Sequence, residues 1–347
     1  MKSQRRRYPW QTTATRRHWL PPYRPWFSYL SSLAMVLALA ASLLRNRTMT
    51  GNLLEISPFN IMLGPSTEAL IQTGARYLPC LYGMQEHSEQ AYICPDQIDQ
   101  GQTGPSIPSW RLAVTNQTTA ATCNLQDVCG SGTSTAQQAY RFFTAPFLHA
   151  GILHCFLVFT VQLGLGRRVE RQLGPLRYGF VWLVCAFFSY LVSAVFSPTQ
   201  TATMGASGAL FGIVALLYVD LLTHWWRIPE AAWEFCKLLT LTVIGLISGY
   251  LPGLDNFVHI GGFVAGILLG LVVMLDMSPR RRQETTTVAA RLARWAFRIV
   301  VIALFAVACG LTLNAFYQGK QEVCSVCMYL ACLPVGNMCQ AAGVALP

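Results

Sequence analysis

The stretch ATMGASGALFG, residues 202–212, decides how this chain is read. Ser207 stands between Gly205 and Gly208, and an apolar run follows it. Small residues at this density let two membrane helices pack backbone to backbone. A lone serine there is ordinarily a packing residue bonded to its own helix. The alternative is a nucleophile placed inside a membrane, and the rest of the chain decides between them.

The chain has 347 residues, 53% hydrophobic and 12% charged, with a mean hydropathy of +0.39. A soluble domain carries about 25% charged residues. The deficit, together with apolar runs of roughly 18 residues or more, predicts an all-α polytopic membrane protein. Only helices or closed barrels satisfy the backbone in lipid, and these runs are too long for strands. Seven spans are expected: 26–44, 146–164, 177–197, 205–223, 232–251, 257–276 and 295–316. Each is taken as long enough to cross about 30 Å of hydrocarbon.

The net charge of +10 falls in blocks between spans. Lys2, Arg5, Arg6, Arg7, Arg16, Arg17 and Arg24 precede the first; Arg167, Arg168, Arg171 and Arg177 follow the second; Arg280, Arg281, Arg282, Arg291 and Arg294 precede the seventh. The positive-inside rule puts these segments on the cytosolic side. Topology thus accounts for the basic residues, and no zinc finger or RNA-binding signature accompanies them, so a nucleic-acid partner is excluded. The expected organisation is a cytosolic tail 1–25, a first helix 26–44, a lumenal loop 45–145, a core 146–276, a cytosolic linker 277–294, a helix 295–316 and a lumenal tail 317–347.

Cysteine placement agrees with that orientation. Cys80, Cys94, Cys123 and Cys129 lie in the long loop, and Cys324, Cys327, Cys332 and Cys339 in the tail. The basic segments have none, as disulfides in an oxidising lumen would have it. The pairing stays open. Cys324 and Cys327 form a CxxC, but no second well-spaced pair completes a zinc site. Asn116 and Asn46 begin glycosylation sequons, the second hard against the first span. The Arg-rich N-terminus has the composition of a transit peptide, yet its prolines and the adjoining span favour a cytosolic tail.

Ionisable and polar residues inside spans are functional candidates. His149 and His154 begin the second span, Ser207 the fourth and His259 the sixth, so all four lie near the lumenal face. Gly262, Gly266 and Gly270 follow His259 at intervals of four, one face of a helix. Two small-residue faces bring helices close enough for an imidazole to reach a hydroxyl. Asp220 lies thirteen residues beyond Ser207, about 20 Å along a helix, and so belongs to the other end of the membrane. Asp255 sits one turn before His259 and is placed at the entrance rather than as a third catalytic member.

These motifs resemble the rhomboid intramembrane serine proteases. GASGALFG at 205–212 matches the GxSG nucleophile motif, and HIGGFVAG at 259–266 matches the HxxGxxxG helix of the base. HAGILH at 149–154 matches the paired histidines, YRFFTAPFLHAG at 140–151 the interfacial loop with Arg141, and GRRVE at 166–170 the GxxxE element with Glu170. MLGPSTEALIQTGARYLPC at 62–80 is similar to a stretch of eukaryotic secretory members. The resemblance implies a six-helix core with an appended seventh helix, and a Ser207–His259 dyad without metal or organic cofactor. By the same likeness His154 donates to the oxyanion, His149 supports water and nearby loops, and Gly205 and Gly208 flank the nucleophile. Arg141, Glu170, Gly262 and Gly266 are structural. It also implies single-span membrane proteins as substrates, the bilayer as partner, and the secretory pathway rather than mitochondria.

Two positions depart from the family pattern. Val158 stands where an oxyanion-binding Asn is frequent, and Tyr140 replaces Trp before Arg141. Val158 keeps open a second expectation, a rhomboid-like pseudoprotease that holds membrane clients. A receptor or transporter would need acidic residues at mid-depth or an inverted repeat, and neither is found.

Overall fold

A computed structural model describes residues 23–56, 60–82, 92–93, 122–123, 128–130, 138–197, 201–251, 253–274, 287–318 and 328–331. The expectations for Cys94, Cys324, Cys327, Cys332, Cys339, the Asn116 sequon and most of the N-terminal tail lie outside these residues.

The chain is built of helices: α1 (Trp26–Thr50), α2 (Thr67–Thr73), α3 (Leu78–Tyr82), α4 (Arg141–Thr144), α5 (Ile152–Leu173), α6 (Pro175–Phe196), α7 (Ser207–Thr223), α8 (Ala231–Ser248), α9 (Asn256–Met274), α10 (Val288–Tyr317) and α11 (Met328–Ala331). One two-residue antiparallel pair, β1 (Tyr92–Ile93) with β2 (Thr122–Cys123), lies in the long loop. Among the described residues, six helices are long and apolar enough to cross a membrane: α1, α5, α6, α8, α9 and α10.

The fourth expected span is shorter than the other six. α7 has 17 residues, about 26 Å at 1.5 Å per residue, and begins at Ser207. Residues 201–206 ahead of it are non-helical, tied to the long loop by a bridge between Arg76 and Thr203. α7 is buried continuously from Gly208 to Leu221, enclosed by α6 and α9. It needs no lipid-facing length, because its apolar surface is satisfied by protein.

The second span also differs from its expected bounds. It starts at Ile152 rather than 146 and, through a π-helical stretch at Gln162–Gly166, continues to Leu173. Pro146 sits in a 3-10 turn, and residues 148–151 are non-helical. The first amides of α5 are satisfied from outside: Ile152 N–H donates to Leu63 O (3.1 Å) and Leu153 N–H to Met62 O (3.2 Å). A Cβ on Gly151 would stand 2.1 Å from Met62 O, so only glycine lets the two segments meet.

Two charged residues close the scaffold. Pro25 offers α1 no side-chain cap, and Glu170 supplies one from α5. Its carboxylate accepts from Phe27 N–H (2.8 Å), Ser28 N–H (2.8 Å) and Ser28 Oγ (2.5 Å). An anion at a helix N-terminus answers both the unpaired amides and the dipole. Arg141, 0% exposed, donates to Ile71 O (2.6 Å), Ala75 O (2.7 Å), Cys129 O (2.8 Å) and Gln138 Oε1 (2.5 Å). Burial pulls its guanidinium down to about 10, so it remains charged at neutral pH. A Cys80–Cys129 disulfide fastens the same loop. Asn46 is also buried: its Oδ1 accepts from Ser66 N–H (2.9 Å) and its amide donates to Asn52 O (2.9 Å).

Candidate active site

α7 and α9 cross at their glycines. A Cβ on Gly262 would fall 1.9 Å from Gly208 O, and one on Gly266 would fall 2.2 Å from Gly212 O. Any side chain there forces the helices apart. Their contact brings His259 Nε2 to 2.9 Å from Ser207 Oγ. Ser207 is half-buried and His259 is 1% exposed, so the hydroxyl stays reachable while the ring is enclosed.

The imidazole of His259 is held by packing. Phe211, one turn after Ser207, stacks on it with centroids 4.3 Å apart and planes 7° apart. Gly249 closes the other wall: a Cβ there would stand 3.0 Å from His259 Nδ1. Nδ1 has no hydrogen-bond partner among the described residues. Asp255 is engaged elsewhere. Its Oδ1 accepts from Phe257 N–H (2.8 Å), capping α9, and its Oδ2 accepts from Ser193 Oγ.

Around the hydroxyl lie groups suited to a developing negative charge. Ser207, Gly208 and Ala209 open α7, so their amides precede the first intrahelical bond, from Leu210 N–H to Ala206 O (3.1 Å). His154 Nδ1 accepts from Ala150 N–H (3.3 Å), which puts the proton of the neutral ring on Nε2. That Nε2 is buried without a partner among the described residues. It borders Gly205, whose φ of +119° suits glycine and whose added Cβ would lie 2.9 Å from it. His149 packs edge-on against His154, centroids 5.0 Å apart.

Of the residues expected at the site, Ser207, His259, His154, His149, Gly205 and Gly208 converge. Arg141 and Glu170 lie apart, in the loop and at the α1 cap, while Gly262 and Gly266 set the helix approach. Asp220 pairs with His224 Nδ1 (3.1 Å) at the opposite end of α7. Val158, 4% exposed, follows His154 by one turn. Sequence reasoning passed over Phe211, although its spacing of four from Ser207 puts it on the same face. It also passed over Tyr190, whose hydroxyl donates to Gly205 O (2.8 Å) and fixes the turn before the nucleophile. A tyrosine midway along an apolar span was the available signal.

Residues 136–276 match the family model of the rhomboid domain. The chain is 28% identical to Rhomboid-type serine protease 2 of Emericella nidulans, over 90% of this chain and 71% of that one. It is 31% identical to RHOMBOID-like protein 2 of Arabidopsis thaliana, over 58% of this chain and 65% of that protein's length. It is 33% identical to Inactive rhomboid protein 1 of Danio rerio, over 60% of this chain but 24% of that one. The match takes in the interfacial loop, the two histidines, the serine and the α9 histidine. Residues 136–276 thus carry a rhomboid domain, and the chain is a multi-pass integral membrane protein.

Proposed function

We propose that the protein is an intramembrane serine endopeptidase that cuts single-span membrane proteins near the lumenal end of their helix. The observation that carries this reading is the 2.9 Å approach of His259 Nε2 to Ser207 Oγ. Oγ gives its proton to Nε2 as it attacks the peptide carbonyl. The oxyanion lies against the opening amides of α7 and His154 Nε2–H. His259 then protonates the leaving amine, and water attacks the acyl-enzyme with His259 again as base. Phe211, Gly249 and the α7–α9 contact hold the ring in place of an acidic partner. No step calls for a metal or cofactor.

The basic segments favour a cytosolic N-terminus, and the Cys80–Cys129 disulfide favours an oxidising lumen, so the secretory pathway is the proposed location. The proposed division keeps a first helix, a stapled lumenal loop, a core ending near 276, and an appended seventh helix.

The test compares the purified chain with Ser207→Ala in liposomes. The probes are a fluorophosphonate and a single-span substrate with a Gly/Ala-rich lumenal end. Labelling and cleavage, both lost in the variant, are expected. Absence of both in a folded preparation would sink the protease reading. The second reading, a client-holding pseudoprotease, draws on Val158 and on the inactive rhomboid relatives. It predicts co-purification of single-span proteins that Ser207→Ala leaves unchanged.

A further inference from the structure

The short helix α11 lies at the Ser207 end of the bundle, far in sequence from what it touches. A helix of four residues leaves its last carbonyls without intrahelical partners. Two are satisfied from the core. Tyr250 Oη donates to Tyr329 O, and Asn256 Nδ2 donates to Leu330 O, each at 3.1 Å. The donors bracket one turn: Tyr250 follows the end of α8, and Asn256 opens α9.

That turn roofs the dyad. Gly253 O accepts from Met204 N–H (3.4 Å), ahead of the nucleophile. A Cβ on Gly253 would stand 2.8 Å from Ala150 Cβ, in the loop of the paired histidines. Asn256 itself is 1% exposed. A Cβ on Gly249 would meet both Asn256 Oδ1 (2.0 Å) and His259 Nδ1 (3.0 Å), so the docked amide and the base share one wall.

We propose that Tyr250 and Asn256 form a docking surface for peptide backbone whose resting occupant is the chain's own segment 328–331, and that this segment holds the dyad's roof closed until substrate displaces it. The inference rests on the protease reading of the dyad. Both donors contact main-chain carbonyls, so the surface accepts backbone irrespective of side chains. An unwound substrate segment offers the same groups.

The experiment uses the full chain in liposomes, a chain ending at Gln318, and the double variant Tyr250→Phe/Asn256→Ala. Two quantities are read: the rate of fluorophosphonate labelling of Ser207, and amide hydrogen exchange over 246–258. Loss of two hydrogen bonds should speed both by roughly fivefold to a hundredfold. The shortened chain keeps both side chains, so the test survives if the double variant misfolds. Unchanged exchange in the shortened chain overturns the proposal whatever the labelling does. Faster exchange with unchanged labelling overturns the gating role. Faster exchange with no labelling in any form supports the docked segment and counts against the protease reading instead.

Discussion

α7 meets a histidine near each end, and the two meetings differ in kind. Near its last turn, His224 Nδ1 lies 3.1 Å from Asp220 Oδ1, an imidazole oriented by a carboxylate on the same helix. At its first turn, His259 arrives from α9 and reaches Ser207 Oγ with Nδ1 left without a hydrogen bond among the described residues. There the ring lies against the face of Phe211, with the Gly249 backbone close to Nδ1. Hydrogen bonding and packing thus solve the same problem at opposite ends of one helix. The packed solution needs α7 and α9 in close contact, so it makes the glycines part of the chemistry.

That contrast can be broken directly. Ser207→Ala or His259→Ala should abolish labelling and cleavage, a loss of at least about 10³-fold, and Ser207→Ala should do so with little change in melting temperature. Gly262→Val should drive the helices apart, destabilising the fold by about 1–3 kcal/mol or more and removing activity, as thermal unfolding in detergent would report. Phe211→Leu keeps an apolar body but loses the flat face. We expect cleavage to fall by about tenfold through kcat, since the ring acts only through base orientation. Equal activity would mean that packing does not orient His259. Val158→Asn tests the charge-stabilising side: a fully used donor is worth about 2.7–4 kcal/mol, and a partial gain in kcat is expected. Asp220→Asn should leave cleavage unchanged and, because the pair with His224 is buried, cost about 1–3 kcal/mol of stability. A loss of activity there would erase the distinction between the two ends.

Much of this was readable in the sequence because membrane helices report themselves locally. Apolar runs located the spans, and spacings of four located the glycine face of α9. The convergence of His149, His154, Ser207 and His259 followed from their shared position along the spans. What escaped was set by distant partners. FLHAGIL is equally apolar as helix or loop, so the start of α5 was misplaced; the carbonyls of Met62 and Leu63 decide it. α7 looked like a full span because apolar residues buried by protein read the same as those facing lipid. The pairing of Cys80 with Cys129 spans 49 residues and has no local signature. Asp255 could be placed near the entrance, but its bonds to Ser193 and Phe257 depend on how α6 meets α9.

The cap on α1 has a consequence for how the protein is made. Phe27 and Ser28 obtain their partner from a residue 143 and 142 positions later. At roughly 5–20 residues per second, the ribosome adds Glu170 about 7–29 s after it adds those two residues. Through that interval the entry to the first helix has only water, lipid headgroups or a chaperone to bind. The arrival of Glu170 marks the moment when the first helix is locked to the second. A nascent chain stalled before that residue should therefore expose α1 to quality-control recognition, whereas one stalled after α5 has inserted should not.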